Sequence, residues 1–222
     1  MISNGHHAHH AHDAGAAGHA ASLNRVTALA TLHCLTGCAI GEVLGLVIGT
    51  ALGWSNAATI ALAVTLAFVF GYSLTMLPLV RGGLALGAAV PVAFAADSFS
   101  IAVMELVDNG VMLAVPGAMD APLTNPLFWG ALAFALAVAY VVAFPVNRYL
   151  IARGRGHAVV HAHHGGGDAP TAGGSPRRLI AFGLAAMTAT IAIATTAALV
   201  VESRHGGDPA REEHAAGGGH RT

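Results

Sequence analysis

Five long runs of apolar residues constrain this chain more than any other feature of its sequence. Each run is near or above the roughly 20 residues that an α-helix needs to cross a bilayer. Only 9% of the residues are charged, whereas a soluble domain carries roughly 25%, so the chain lacks the polar groups that would cover a globule. The sequence therefore predicts an all-α, polytopic membrane protein whose main partner is the lipid bilayer.

The runs and their links divide the chain into five parts. Residues 1–25 form a His-rich leader, which we expect to be disordered because its Gly, Ala and His residues offer little to bury. Residues 26–152 are expected to form a compact four-helix transmembrane bundle. A Gly/His linker, 153–177, leads to an appended C-terminal transmembrane helix, TM5, at 178–202, and residues 203–222 form a second disordered tail. The four helices of the bundle, TM1 to TM4, are predicted at 26–53, 57–80, 84–115 and 127–151.

The arginines predict how the spans are oriented. Arg81 lies between TM2 and TM3, and five more arginines lie between the end of TM4 and the start of TM5, whereas the TM1–TM2 and TM3–TM4 links carry none. Basic residues favour the cytoplasmic side, so the N-terminus is expected inside and the C-terminus outside a bacterial inner membrane. Basic residues are few and do not alternate with aromatic ones, which argues against nucleic-acid binding.

A ladder of glycines runs along TM1 at every fourth residue. Small residues at this spacing let another helix approach closely within a bilayer. The ladder predicts tight packing against a neighbouring helix, a second copy of the chain or another membrane protein. It consists of Gly37, Gly41, Gly45, Gly49 and Gly53.

A second row on TM1, beside the ladder, carries Cys34, Cys38 and Glu42, with His33 close by. Side chains at i and i+4 lie one above the other on a helix. Thiolate, carboxylate and imidazole groups are ligands of transition metals such as copper and zinc. The structural alternative is that both cysteines are small apolar packing residues. Glu42 lies deep in its span, where a carboxyl group is costly and usually functional.

TM3 carries a stripe of acids and methionines. At ~3.6 residues per turn, these side chains share a face about 100° wide and roughly 22 Å long. An acid at the centre of a span costs about 2.5–3.5 kcal/mol, so the stripe is expected to face protein, water or cations. Two alternatives stay open: Asp108 and Asn109 lie at the membrane surface, or the acids are protonated and hydrogen-bonded to neighbouring helices. The stripe consists of Asp97, Met104, Glu105, Asp108 and Met112.

Histidines cluster in both tails and in the linker. In the tract after TM4, His157, His161 and His164 would share one face if the segment were helical, which makes them candidate metal ligands. Gly154 and Gly156 argue against a continuous helix there. The six histidines of the leader fit either a loose metal buffer or a solvated tail.

Long motifs in the chain resemble a bacterial membrane family. They are HCLTGCAIGEVLG in TM1, ADSFSIAVMELVDNGVMLAVPGAMDAPLTNPLFWG from TM3 into TM4, and FPVNRYLIARGRGHAVVH after TM4. The family is the domain of unknown function 4396, and the resemblance covers about residues 30–162. It implies an integral membrane fold and carries no assigned reaction, substrate or ligand.

The sequence favours one function over two alternatives. Acids and soft ligands on shared helix faces indicate a membrane protein that binds or moves a transition-metal cation, copper or zinc, through the interior of the bundle. The first alternative is a non-transporting membrane partner or homo-oligomer assembled through the glycine ladder. The second is a proton pathway or a thiol redox role. No nucleophile motif, phosphate loop or HExxH pattern occurs, so an enzyme is the less favoured class.

Overall fold

The computed structural model describes residues 6–153 and 175–205, except for the side chains of residues 6–20 and 205. These ranges form five helices and contain no strand. Every helix includes a stretch long and apolar enough to cross a membrane. The prediction of an all-α, multi-pass membrane protein is thereby confirmed. The helices are α1 (His6–Ala51), α2 (Asn56–Arg81), α3 (Leu86–Ala114), α4 (Pro126–Ala152) and α5 (Pro176–His205).

Capping side chains, a proline and a glycine mark where the helices begin and end. The Ser55 hydroxyl accepts a hydrogen bond from the Ala58 N–H at 3.3 Å and caps α2, as side-chain oxygens do at helix N-termini. Asn125 caps α4 in the same way, and Pro126 occupies its first turn, where a missing N–H costs nothing. Gly53, in the turn after α1, adopts a φ of 65°, a conformation that glycine adopts without strain.

Helix α1 begins at His6, far earlier than the predicted start at residue 26. Part of the predicted disordered leader is therefore continuous with the first span, whose membrane-crossing part is Ala21–Ala51. The extension contains several alanines and no proline, so its backbone favours a helix.

One end of the bundle, which we call the Trp54 end, holds the α1–α2 turn and the α3–α4 loop. Asn56 connects both to the last helix. Its side-chain amide donates to Asp120 Oδ1 at 3.5 Å, and its backbone N–H donates to Glu202 Oε1 at 2.9 Å. Glu202 therefore belongs to a helix end that reaches the start of α2.

The opposite end, which we call the Arg81 end, holds the α2–α3 turn and the end of α4. Arg148 Nε of α4 donates to Asn24 Oδ1 of α1 at 2.7 Å. The Arg153 guanidinium lies over the Tyr149 ring, 4.2 Å from its centroid. Arg25, Arg81, Arg148, Arg153, Arg177 and Arg178 lie toward this end, whereas Arg204 lies at the other end, in the last turn of α5.

Helix α5 packs along α3 and α2, so the predicted distinction between a four-helix core and an appended TM5 is not seen. Thr190, Ala194 and Ala198 of α5 are buried at four-residue spacing. Gly183 lies so close to Phe94 and Ser98 of α3 that a side chain there would overlap them. The hydropathy of α5 marks it as a span but does not reveal this face of small residues, which lets it join the bundle.

Four glycines of the TM1 ladder face α2. A Cβ atom at any of them would overlap a residue of α2, and at three of them the overlap would involve its backbone. Gly53 takes no part, because it lies in the turn with nothing near its Cα. The ladder is therefore occupied within the chain. The facing pairs are Gly37 with Gly71, Gly41 with Ala67, Gly45 with Ala63, and Gly49 with Thr59.

Candidate functional site

Helix α1 presents a polar face to the interior of the bundle. The positions recur every three or four residues, so they fall on one side of the helix, and each is buried. The last inward position toward the Trp54 end, Leu46, is apolar. The polar residues are Thr27, Thr31, Cys34, Cys38 and Glu42.

The facing side of α3 is polar over a similar length. Its buried groups include Asp97, Glu105, Asp108 and Asn109, and Met112 is the first apolar position beyond them. Asp108 is only 2% exposed and Asn109 only 1%. The alternative in which these two residues lie at the membrane surface is therefore not seen.

Glu42, Glu105 and Asp108 meet between α1 and α3, and we call these three residues the carboxyl cluster. The Glu42 side chain interacts with those of Glu105, Asp108 and Asn109. Glu105 interacts with Glu42, with Asp108 and with the two cysteines. Asp108 interacts with Glu42. Among the described side chains, none of these interactions involves a basic group. Within that part of the chain, the acids of the cluster therefore face one another and not a counter-charge.

Five of the six carboxyl oxygens of the cluster have no hydrogen-bond donor among the described residues. Within residues 21–153 and 175–204, both oxygens of Glu42, both of Asp108 and Oε2 of Glu105 accept no hydrogen bond. Asn109 donates its amide to the Glu105 backbone carbonyl at 3.0 Å, which leaves its own Oδ1 as another acceptor without a donor. Two carboxylates form a hydrogen bond only when one of them carries a proton. The arrangement is therefore complete only with shared protons or a bound cation.

The two cysteines lie beside this cluster. Cys38 interacts with both Cys34 and Glu105, and both thiols are free and buried. Met104 belongs to the same buried apolar group as the cysteines. The soft ligands predicted from the sequence are thus adjacent to a carboxyl group. Nevertheless, the part of the chain with described side chains contains no group of three or more His, Cys, Asp or Glu residues arranged to hold a metal ion.

Asp97 lies apart from the carboxyl cluster, toward the Arg81 end. Glu105 is eight positions further along α3, a distance of about 12 Å at 1.5 Å per residue. Its side chain interacts with Thr75 of α2 and electrostatically with the half-buried His33. The predicted set of acids is therefore divided between two places.

Tyr72 of α2 lies between these two places. Its hydroxyl shares a hydrogen bond of 2.8 Å with Ser98 Oγ. The same side chain interacts electrostatically with Asp97, Cys34 and Cys38. Tyr72 and Ser98 were not singled out from the sequence. The available signal was that Tyr72 is the one tyrosine of α2.

Other predicted ligands lie away from the cluster or cannot be placed. Met112 packs with Leu46 and Phe128 in an apolar group at the Trp54 end, apart from the cysteines. The predicted histidine ligands His157, His161 and His164 lie outside the described residues.

Fold and site together define a class: a multi-pass helical membrane protein with acids enclosed in its interior. The chain belongs to the family described as Domain of unknown function (DUF4396), which matches residues 23–156. The match confirms the resemblance seen in the motifs and includes the whole carboxyl cluster. Helix α5 lies beyond the matched segment. No curated protein and no solved structure matches the chain significantly.

Proposed function

We propose that this chain binds protons at the carboxyl cluster and passes them within the membrane. One observation carries the proposal: Glu42, Glu105 and Asp108 face one another in the buried interior, and their partners among the described side chains include no basic residue. Like charges that share a site oppose full ionisation, and an isolated charge in an apolar interior is very costly. The cluster is therefore stable only when it holds protons or another cation.

The proton is the cation that the packing favours. A proton needs only two facing oxygens, whereas a metal ion needs several ligands at fixed distances and angles. The carboxyl cluster offers such facing oxygens, because Glu42 lies against Glu105 and Asp108. Acids inside membrane spans commonly serve proton relays. The thiols beside Glu105 then belong to the surroundings of the cluster.

A transition-metal cation, copper or zinc, is the second candidate. The observation that favours it is the contact of Cys34, Cys38 and Glu105 beside Met104, since thiolates and thioethers select soft metals. This candidate requires the side chains to rearrange around the ion, because no group with metal-binding geometry occurs among the described side chains.

Assembly with a partner through the glycine ladder is a weaker candidate. Four of its five glycines are covered by α2, so a second copy or another protein would have to use a different, lipid-facing surface.

The proton proposal is tested by following the carboxyl groups directly. The protein is placed in lipid nanodiscs and titrated from acid to alkaline solution while the infrared C=O stretch of protonated carboxyls is recorded. We expect a titrating band that weakens in Glu42→Gln and in Glu105→Gln, since each substitution removes one acid from the cluster. The exposed acid Asp120 supplies the control, so Asp120→Asn should leave this band unchanged.

Metal analysis of the same samples separates the two candidates. The wild type is loaded with copper(I) or zinc(II), washed, and compared with Cys38→Ser. Equal and negligible metal in both, together with the titrating band, favours the proton. Bound metal that Cys38→Ser loses favours the second candidate. A band that is identical in wild type, Glu42→Gln and Glu105→Gln contradicts the proton proposal.

A further inference from the structure

The two ends of the interior differ in polarity, and this difference bears on how the carboxyl cluster reaches water. Toward the Trp54 end, the next inward residues are Leu46 of α1, Met112 of α3 and Phe128 of α4. Each is at most 1% exposed, and they belong to one buried apolar group. We call these three residues the apolar cap.

Toward the Arg81 end the interior stays polar. Glu105 interacts with Cys38, which interacts with Cys34 one turn away. Tyr72 packs in the same buried group as the two cysteines, and it interacts electrostatically with Asp97. Asp97 then interacts with His33, which is half-buried and so reaches the surface of the bundle. We call this series of side chains the polar column. It contains His33, Cys34, Cys38, Tyr72, Asp97 and Glu105.

The polar interior continues past His33. Asn147 of α4 donates to the Thr31 hydroxyl at 3.0 Å, and both residues are buried. Thr27, one turn further, is also buried. No such series occurs on the other side of the cluster within the described ranges, although Glu42 lies only about 14 Å from the end of α1 by helical rise. The shorter route to water is thus closed by apolar side chains, and the longer one is lined by polar groups.

We infer that the carboxyl cluster exchanges protons with one face of the membrane only, the face at the Arg81 end. The inference rests on the proposed proton function and adds its direction. A proton crosses apolar packing slowly, because it would leave every hydrogen-bonding partner behind. Hydroxyl, thiol, carboxyl and imidazole groups can each hold or hand over a proton. Among the described residues, the titratable groups in and around the cluster belong to α1, α2 and α3. Glu42 and Asp108 lie in the cluster itself, and the others are members of the polar column.

The inference is tested by pH jumps applied from one side. The protein is reconstituted into sealed vesicles, and its orientation is determined by labelling a Gly83→Cys variant with a membrane-impermeant maleimide, since Gly83 lies in the exposed turn at the Arg81 end. The external pH is then changed rapidly, and the infrared band of protonated carboxyls is followed with time. We expect vesicles that expose the Arg81 end to respond at least about tenfold faster, which corresponds to roughly 1.4 kcal/mol in barrier height.

Variants at each end make the test specific. His33→Ala should slow the response from the Arg81 face, because it removes the outermost group of the polar column. Phe128→Ala should open the apolar cap and produce a fast response from the Trp54 face. Phe134→Ala is the matched control, since this residue lies on the same helix but is 58% exposed, and it should leave both rates unchanged.

The outcomes distinguish the inference from the proposal on which it rests. A wild-type response that is equally fast from both faces, or faster from the Trp54 face, overturns the inference and leaves proton binding intact. A wild-type protein without any titrating carboxyl band overturns both. If Phe128→Ala fails to fold, the comparison of His33→Ala with wild type still decides the direction.

Discussion

At the scale of single residues, the two cysteines show how burial controls chemistry. Cys34 is 3% exposed and Cys38 1%, and they interact with each other one helical turn apart. Side chains at i and i+4 on a helix have nearly parallel Cα–Cβ bonds, which makes the geometry of a disulfide difficult to reach. A redox role for this pair would therefore require the helix to distort.

We predict that both thiols are unreactive in the folded protein. A water-soluble thiol reagent should label neither cysteine in nanodiscs, because the reagent cannot reach the interior, and it should label both after denaturation. Mass spectrometry of the intact chain counts the labels. An engineered cysteine at Gly83, in the exposed turn at the Arg81 end, provides the positive control. Rapid labelling of the native cysteines would show that the interior opens to water.

At the scale of helices, the contact between α1 and α2 depends on the absence of side chains. Gly41 lies against the backbone of Leu66 and Ala67, so the two helices approach more closely than alanine would allow. Packing of this kind drives helix association in bilayers, where lipid removes the hydrophobic contribution. The contact also fixes the rotation of α1 about its own axis. This rotation places Cys38 and Glu42 on the side of α1 that faces α3.

We predict that Gly41→Ala destabilises the fold by about 1–3 kcal/mol, the usual cost of adding a methyl group to a well-packed interior. The matched control is Gly110→Ala on α3, where nothing lies within 4 Å of the added atom, and its effect should be near zero. Denaturation in mixed micelles, followed by circular dichroism, measures both. Equal stability of the two variants would contradict the role of the ladder. A loss confined to Gly41→Ala would support it.

At the scale of the whole molecule, the charges at the two ends predict how the protein lies in the membrane. Arg81, Arg148 and Arg153 lie at the Arg81 end, whereas Arg204, in the last turn of α5, is the one described arginine at the other end. Trp54 and Trp129, 46% and 44% exposed, lie at the Trp54 end, and tryptophan is enriched at membrane surfaces. The whole bundle therefore has a basic end and an aromatic end.

We predict that the Arg81 end is cytoplasmic. In intact cells, an impermeant maleimide should label Asp120→Cys in the α3–α4 loop and fail to label Gly83→Cys until the membrane is permeabilised. The native cysteines are buried and should contribute no background. Labelling in the reverse pattern would place the Arg81 end outside. The inferred side of proton access would then be external, while the access route itself would be unchanged.

The sequence predicted much of the site but not its grouping. Cys34, Cys38 and Glu42 stood out because they share one row of TM1 at four-residue spacing, and Glu105 because it is an acid on the polar face of TM3. Asp97 was placed with them because it shares a face of α3, yet it interacts with Thr75 of α2. The acidic face of α3 is about 22 Å long, so residues at its two ends contact different helices. A helical wheel does not show which helix lies against each end.

The sequence by itself determined the number of spans, their approximate positions and the presence of costly acids among them, because these depend on local composition, capping and the thickness of a bilayer. Only the tertiary structure decided that α5 joins the bundle, that α2 occupies the glycine ladder, and that an apolar cap closes one end of the interior. Those properties depend on which faces of different helices meet. That choice is made by the fit of side chains across the whole bundle, and no single segment contains it.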